Sequence, residues 1–286
     1  MRETYRGRAW GAISFLNAIP TGVGAAAAVR LPLTVELSRE GGGEALSARA
    51  DSSLLVRSTL EEAERAGAKV RQPLSFRVRS QIPEGQGLKS SSALTVALLR
   101  ALFAASSLPP PEGLALARMS SRAAQSSGES LTGAFDDALA SALGEAVVAD
   151  NRRLELLARP PLDPRWAVWI RTAQAPHAPP EELRRRWAQG ADPRARQAEQ
   201  LAREGRLLEA MTLNGAVVEE ALGYDYSRLR NWLQERGALA CGVSGNGPAL
   251  AAVFDSSRLP GDALDPPSPG RTFCVPFAVD GDGGAS

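Results

Sequence analysis

The stretch Pro83-Glu84-Gly85-Gln86-Gly87-Leu88-Lys89-Ser90-Ser91-Ser92 runs without a break into residues 93–103, an apolar segment free of Gly and Pro. A loop rich in glycine and hydroxyl groups therefore feeds the N-terminus of a buried helix. Glycines let a backbone approach a ligand closely. The unpaired N–H groups of a first helical turn, together with the helix dipole, favour an anion there. Three serines and a lysine at that point suit a phosphate with a cation beside it. The plain alternative is a serine N-cap ahead of an ordinary core helix. The loop is not a Walker A sequence, because Leu88 separates Gly87 from Lys89, and it is not G-x-G-x-x-G, because Ser90 takes the place of the last glycine.

A chain of 286 residues suffices for one large domain or two lobes, each with surface to bury. Apolar content of 44% and charged content of 23% are those of a globular protein. A net charge of +1 gives no global attraction to nucleic acid or to an anionic membrane, so neither is expected as a partner. Between Glu181 and Glu209 seven Arg face six acidic residues, which reads as a solvated helix rather than a nucleic-acid patch. Cys241 and Cys274 form no C-x-x-C and no zinc pattern, and a reduced, cytoplasmic setting is the expectation. The single histidine, His177, lies in a loop between Pro176 and Pro179, which weakens any histidine triad or multi-histidine metal site. No apolar run reaches the roughly 18 residues of a membrane span. Arg2, Arg6 and Arg8 ahead of residues 9–19 loosely imitate a signal peptide, but Gly11 and Asn17 interrupt the apolar segment.

Along the chain, residues 9–19 read as strand and turn. Gly22, Gly24 and Ala27 match a lax dinucleotide pattern, yet Pro32 follows too soon for a crossover helix. Residues 33–37 alternate like a strand, and Gly41-Gly42-Gly43 makes a turn. Ser52 or Ser53 caps a helix that Gly67 ends. Ser75–Ser80 is a half-exposed strand, residues 112–125 are helical after Pro109-Pro110-Pro111, and residues 146–149 form a strand. The proline-rich segment at 159–164 is the candidate lobe boundary. Beyond it come a strand at 166–171, a long charged helix over 181–209, and helices at Leu207–Leu222 and 226–236. A glycine turn, Gly242-Val243-Ser244-Gly245-Asn246-Gly247-Pro248, precedes an apolar run. A loose loop at 258–270, a last strand at 272–279 and a frayed end at 280–286 complete the reading.

The pattern P-x-x-x-G-L-x-S-S-[SA] resembles the phosphate-binding motif of the GHMP kinases, the family of galactokinase, homoserine kinase and mevalonate kinase. The turn at 242–248 resembles that family's late glycine-rich loop. Three further segments resemble the archaeal-type shikimate kinases, which are GHMP enzymes unrelated in fold to the P-loop shikimate kinases. These are Thr132-Gly133-Ala134-Phe135-Asp136-Asp137-Ala138, Asn17-Ala18-Ile19 with Thr21-Gly22-Val23-Gly24, and Ala210-Met211-Thr212-Leu213-Asn214-Gly215. The likeness extends from about residue 9 to residue 253.

The resemblance implies a two-lobe α+β fold with the active site between lobes 1–158 and 159–286. It also implies transfer of the ATP γ-phosphoryl group to a shikimate hydroxyl, with ATP and Mg²⁺ as cofactors. ATP and its phosphates fall to Pro83, Gly85, Gly87, Leu88, Lys89, Ser90, Ser91 and Ser92, and to Gly245 and Gly247. Asn17, Thr21 and Ser244 are the expected substrate contacts. Asp136 matches the family's catalytic carboxylate, with Asp137 as its competitor. Ser91 matches the metal-contacting serine. Where several relatives carry a metal-binding glutamate, Gln125 stands here, and Glu129 is the candidate substitute. Arg8 is the candidate for the first-strand cation that relatives place near the carboxylate. No arginine is identified for a substrate carboxylate, and oligomeric state is unspecified. Two alternatives stay open: another small-molecule GHMP kinase, acting on homoserine, pantoate or a mevalonate-type substrate, and a non-catalytic metabolite-binding relative.

Overall fold

The structure, a computed structural model, describes residues 4–39, 44–70, 73–173, 180–188, 192–260 and 270–278. The first apolar segment and the alanine-rich one after it form two long antiparallel strands, β1 (Thr4–Leu16) and β2 (Val23–Ser38). The lax dinucleotide pattern thus sits at the start of a strand and is followed by no helix. Ala25, Ala26, Ala27 and Ala28 are all fully buried in β2. A strand covered on both faces has no reason to alternate apolar with polar, and small side chains let both neighbouring layers come close.

β2 shares its other edge between two partners. β4 (Ser75–Ser80) pairs with its C-terminal half and β5 (Ala146–Asp150) with its N-terminal half. The short β3 (Glu44–Ala45) and β6 (Glu155–Ala158) complete a six-stranded antiparallel sheet. Five helices accompany it: α1 (Leu46–Ser52), α2 (Leu54–Arg65), α3 (Ser90–Ala105), α4 (Gly113–Ser126) and α5 (Phe135–Leu143), of which α1, α3 and α5 lie on its strands and α2 and α4 pack onto the other helices. Ser53 caps α2, its Oγ accepting the Val56 N–H. The central helix α3 is buried on nearly every side, as an apolar helix without a polar face must be. It crosses β1 at Gly7, where a Cβ would lie 1.9 Å from the Ala97 carbonyl.

The second half carries a four-stranded antiparallel sheet in the order β10-β7-β9-β8, built from β7 (Trp166–Thr172), β8 (Ala240–Val243), β9 (Leu250–Asp255) and β10 (Arg271–Pro276). The charged stretch at 181–209 is three pieces rather than one helix: α6 (Pro180–Trp187), α7 (Pro193–Arg203) and the start of α8 (Leu207–Leu222). Asp192 caps α7 with Pro193 in its first turn, and Gly205, in the left-handed region at φ 77°, ends it. Helix α9 (Ser227–Glu235) leads into β8. One apolar core runs from β1, β2 and α3 into Ala198, Met211, Ala251, Val275 and Phe277, so the two halves are packed as one body. Phe15 and Phe277 stack across them with ring centroids 6.3 Å apart. A second cluster, with Trp169, Leu183, Val218, Leu229 and Phe254, belongs to the second half.

Arg2, the glycine turn at 41–43, His177, residues 261–269 of the expected loose loop and residues 279–286 lie outside the described residues. Among those described, no helix is long and apolar enough to cross a membrane.

Candidate active site

Helix α3 begins at Lys89, a non-glycine N-cap in the left-handed region (φ 68°), after Gly85 and Gly87 at φ 66° and 77°. No side chain caps the helix, so the serine-cap alternative is not what the serines do. Ser90, Ser91 and Ser92 instead line a cleft of about 610 Å³ whose walls come from both halves of the chain, within the usual size of a small-molecule site. The turn before β9 is pressed onto the loop ahead of α3. A Cβ at Gly87 would lie 2.0 Å from the Ser244 carbonyl. The Ser244 hydroxyl accepts the Ser14 N–H at 3.2 Å and donates to the Gly87 carbonyl at 2.9 Å. The Ala249 N–H donates to the Gln86 carbonyl at 3.2 Å. Tyr224 and Tyr226 brace the turn from behind by donating to the carbonyls of Asn246 (2.8 Å) and Pro248 (2.5 Å).

Asn17, at the end of β1, ties the same parts together. Its amide donates to the Gly245 carbonyl at 3.0 Å and to Asn246 Oδ1 at 3.1 Å, and its own N–H donates to Asn214 Oδ1 at 2.9 Å. Gly215, beside Asn214, lets α8 touch β8: a Cβ there would lie 2.7 Å from the Gly242 Cα. The Asn-Gly pair on α8 is thus a polar anchor followed by a close crossing.

Helix α5 also starts from a left-handed non-glycine residue, Ala134 (φ 50°), and also lacks a side-chain cap. Its first turn brings Asp136 and Asp137 to the cleft. The Asp136 carboxylate is buried against β2, where a Cβ at Gly24 would fall 2.2 Å from Oδ2. Asn151, just after β5, holds it. Asn151 Oδ1 accepts the Asp136 N–H at 3.1 Å, and its Nδ2 donates to Asp136 Oδ1 at 2.8 Å and to Thr132 Oγ1 at 3.2 Å. Burial first, and then the charge of Asp137, push the Asp136 carboxyl up to about 7, against the pull of Lys89 and Asn151. A carboxyl near 7 is matched to accepting a proton at neutral pH. The Asp137 carboxylate lies 3.0 Å from Lys89 Nζ, with both side chains largely buried.

Ser91 Oγ donates to Glu129 Oε1 at 3.1 Å, and both residues line the cleft. Gln125 does not line it; its amide packs against Gly133, where a Cβ would meet Nε2 at 2.6 Å. Four carboxylates line the cleft (Glu84, Glu129, Asp136, Asp137) against two cations, Arg49 and Lys89. A polyphosphate entering there needs further positive charge. Mg²⁺ takes oxygen ligands and is commonly held by one or two protein groups plus phosphates and water. The Ser91–Glu129 pair fits that ion. Among the described residues no cluster of three His, Cys, Asp or Glu forms a complete metal cage.

The cleft therefore gathers Gly85, Gly87, Lys89, Ser90, Ser91, Ser92, Glu129, Asp136, Asp137, Asn17 and Gly245. Pro83, Leu88, Thr21, Ser244 and Gly247 stand outside its lining. Leu88 is buried, and its carbonyl accepts the Ala12 N–H at 3.2 Å. Thr21 Oγ1 accepts the Val23 N–H at 3.3 Å, and the Gly247 N–H closes the turn on the Ser244 carbonyl at 2.9 Å. Arg8 is exposed with its guanidinium 4.2 Å from the centre of the Trp10 ring, so the cation beside the aspartates is Lys89 instead. Two further residues were not foreseen. Asn151 gave only the signal of a lone amide after an apolar strand. Arg49 on α1, whose buried Nε has no hydrogen-bond partner, gave none.

Comparison with known proteins agrees with this geometry. The family model for the GHMP kinases N terminal domain matches residues 54–145, and that for the GHMP kinases C terminal matches residues 198–265. A shikimate kinase of Methanosarcina acetivorans is 34% identical over 90% of this chain and 87% of its own length. One from Pyrococcus abyssi is 34% identical over 87% of this chain and 91% of its own. Among solved structures, a homoserine kinase from Cytophaga hutchinsonii superposes with a TM-score of 0.70 at 17% identity, covering 98% of this chain and 97% of that one. The chain belongs to the GHMP kinase family and, within it, to the group of the archaeal-type shikimate kinases.

Proposed function

We propose that the protein is a Mg-ATP-dependent shikimate kinase that converts shikimate and ATP to shikimate 3-phosphate and ADP, a step of chorismate and aromatic amino-acid biosynthesis. The observation that carries the substrate is the 34% identity to shikimate kinases over 90% and 87% of the chain. The reaction type is supported by the geometry. Phosphoryl transfer asks for alignment and charge neutralisation more than for covalent chemistry. The first-turn N–H groups of α3 hold phosphate oxygens. Ser91 and Glu129 hold Mg²⁺, which neutralises phosphate charge when bound. A shikimate hydroxyl oxygen attacks the γ-phosphorus, the bond to the β–γ bridging oxygen breaks, and the hydroxyl proton passes to the Asp136 carboxylate. Asn151 and Gly24 fix that carboxylate in place. Asn17 serves the acceptor side and Gly245 the phosphates.

In this reading the lobes divide at residues 158 and 159, with the site between them, and the enzyme works in the cytoplasm on small molecules. The test is mass spectrometry of products after incubation with Mg-ATP and shikimate, homoserine or pantoate. Shikimate 3-phosphate is the expected product. Phosphorylation of homoserine and not shikimate refutes the substrate and leaves the family untouched.

A further inference from the structure

We infer that Lys89 is the catalytic cation of the transfer step: its ammonium, held by Asp137 beneath the Gly245 turn, sits against the phosphoryl group as it passes to the acceptor. The inference rests on the kinase reading above and adds a residue role to it.

Three observations carry it. First, Lys89 Nζ is 3.0 Å from Asp137 Oδ1 with its side chain only 7% exposed, and a Cβ on Gly245 would come within 2.7 Å of that nitrogen. The side chain is therefore folded inward between the phosphate loop, α5 and the turn from the second half, rather than out into solvent as lysines usually are. Second, the residue stands at φ 68°, a backbone conformation that glycine adopts freely and lysine does not. Strained backbone and a desolvated ion pair both cost stability, and strain of this kind collects where ligands are bound and turned over. Third, the other candidate cation, Arg8, is stacked on Trp10 at the surface, and Arg49 stands on the wall formed by α1. Among the described residues, Lys89 is the cation that faces both the start of α3 and the aspartates.

The chemistry follows from an ammonium's three donors. The ion pair with Asp137 holds the ammonium at the cleft that Lys89 lines. As the bond from the γ-phosphorus to ADP breaks and the bond to the acceptor oxygen forms, charge spreads over the three equatorial phosphoryl oxygens. A preorganised ammonium stabilises that distribution more than it stabilises bound ATP. The acceptor's proton leaves to Asp136, and ADP leaves with the bridging oxygen's electron pair. The same ammonium draws the Asp136 carboxyl downward, opposing Asp137. Asp137 and Lys89 are the charged groups that act on Asp136. The other elements packed on α5 — β1, β2, α3, α4 and β5 — add the uncharged Gly24 and, just past β5, Asn151.

The experiment uses the full chain with Mg-ATP and shikimate, comparing the parent with Lys89→Gly and Lys89→Met. Glycine removes the ammonium and relieves the left-handed strain but leaves the buried Asp137 carboxylate without its cation, so Lys89→Gly is expected to melt above Lys89→Met, which lacks that relief, and kcat is compared on the folded fraction of each. Loss of a preorganised transition-state donor typically costs about 10²–10³ in kcat. We expect that loss in both variants, a shikimate KM within about threefold of the parent, and the acidic limb of the kcat–pH profile moved to higher pH. Parental kcat in Lys89→Gly overturns the inference, as does a change confined to the ATP KM with kcat retained, which would leave Lys89 as a ground-state phosphate contact. If the parent phosphorylates a different acceptor and not shikimate, the substrate reading alone fails, and the same variants are scored on that acceptor.

Discussion

Asp136→Asn separates what the buried carboxyl costs the fold from what it does in the reaction. Its carboxyl is held at about 7, against an ordinary value of 3.8, chiefly because burial disfavours the charged form. The folded chain therefore binds this proton more tightly than the unfolded chain. Stability falls as pH rises from about 4 to about 7 and is level on either side of that window. Each pH unit is worth about 1.4 kcal/mol, so above pH 7 the folded state is weakened by about 4 kcal/mol through this one group. Asparagine carries no charge and keeps an oxygen for Asn151 Nδ2, so it removes the penalty while sparing the contact. Urea unfolding at pH 5 and pH 8 reads the effect. The variant should be the more stable chain at pH 8, by up to about 4 kcal/mol, with a clearly smaller gap at pH 5. In the same preparation kcat should fall about 10²-fold or more, because proton acceptance is lost, with ATP affinity little changed. A variant less stable than the parent at pH 8, or a gap equal at both pH values, refutes the buried-charge account. Near-normal kcat refutes the base.

Asp137→Asn should depress kcat less than Asp136→Asn and move its acidic limb to lower pH, since the charge that helps to raise Asp136 is gone; pH–rate profiles of the two variants decide this. Ser91→Ala should raise the Mg²⁺ concentration needed for half-maximal turnover by about tenfold or more, while the melting temperature stays near the parent's because the hydroxyl does not cap α3. Asn214→Ala strips the acceptor from the buried Asn17 N–H and should cost about 1–3 kcal/mol in chemical denaturation; an unchanged midpoint would mean that the N–H finds another partner.

The loop feeding α3 was legible because its signal is local: two glycines and three hydroxyl residues ahead of an unbroken apolar run mark a helix start, and the structure puts that start at the cleft. The aspartate pair was singled out through the family resemblance, and the structure puts it in the first turn of α5 at the same cleft. What the sequence did not disclose lies in contacts made across long chain separations. Asn151 meets Asp136 across the rest of α5, a turn and a strand, Ser244 meets Gly87 from 157 residues away, and Lys89 meets Asp137 from the start of a different helix. Periodicity is blind to all three. Thr21 and Ser244 carried the hydroxyls that a substrate contact wants; both stand outside the cleft lining, the Ser244 hydroxyl accepting the Ser14 N–H and donating to the Gly87 carbonyl, and Thr21 Oγ1 accepting the Val23 N–H. The helix expected over 181–209 failed at Asp192-Pro193 and at Gly205, ordinary start and stop residues hidden by the uniform charge around them.

Two helices point their first turns into one cleft, and each begins at a left-handed residue that bears a side chain: Lys89 for α3 and Ala134 for α5. Neither N-cap residue caps its helix; at α5 Asn151 Oδ1 takes the Asp136 N–H instead, whereas at α3 no side chain does so although Ser90, Ser91 and Ser92 stand there. A capped α3 would be the more stable, by about 1 kcal/mol. The missing cap at α3, the inward lysine and the carboxyl held near 7 belong to a single arrangement. In the proposed mechanism the N–H groups at the start of α3 take phosphate oxygens, the ammonium meets the charge that develops on the transferring group, and Asp136 takes a proton. Each feature costs the fold stability and suits a group that relieves it. That shared sign is hard to reconcile with a relative that has lost catalysis, in which a side-chain cap at α3 would cost nothing and steady the fold.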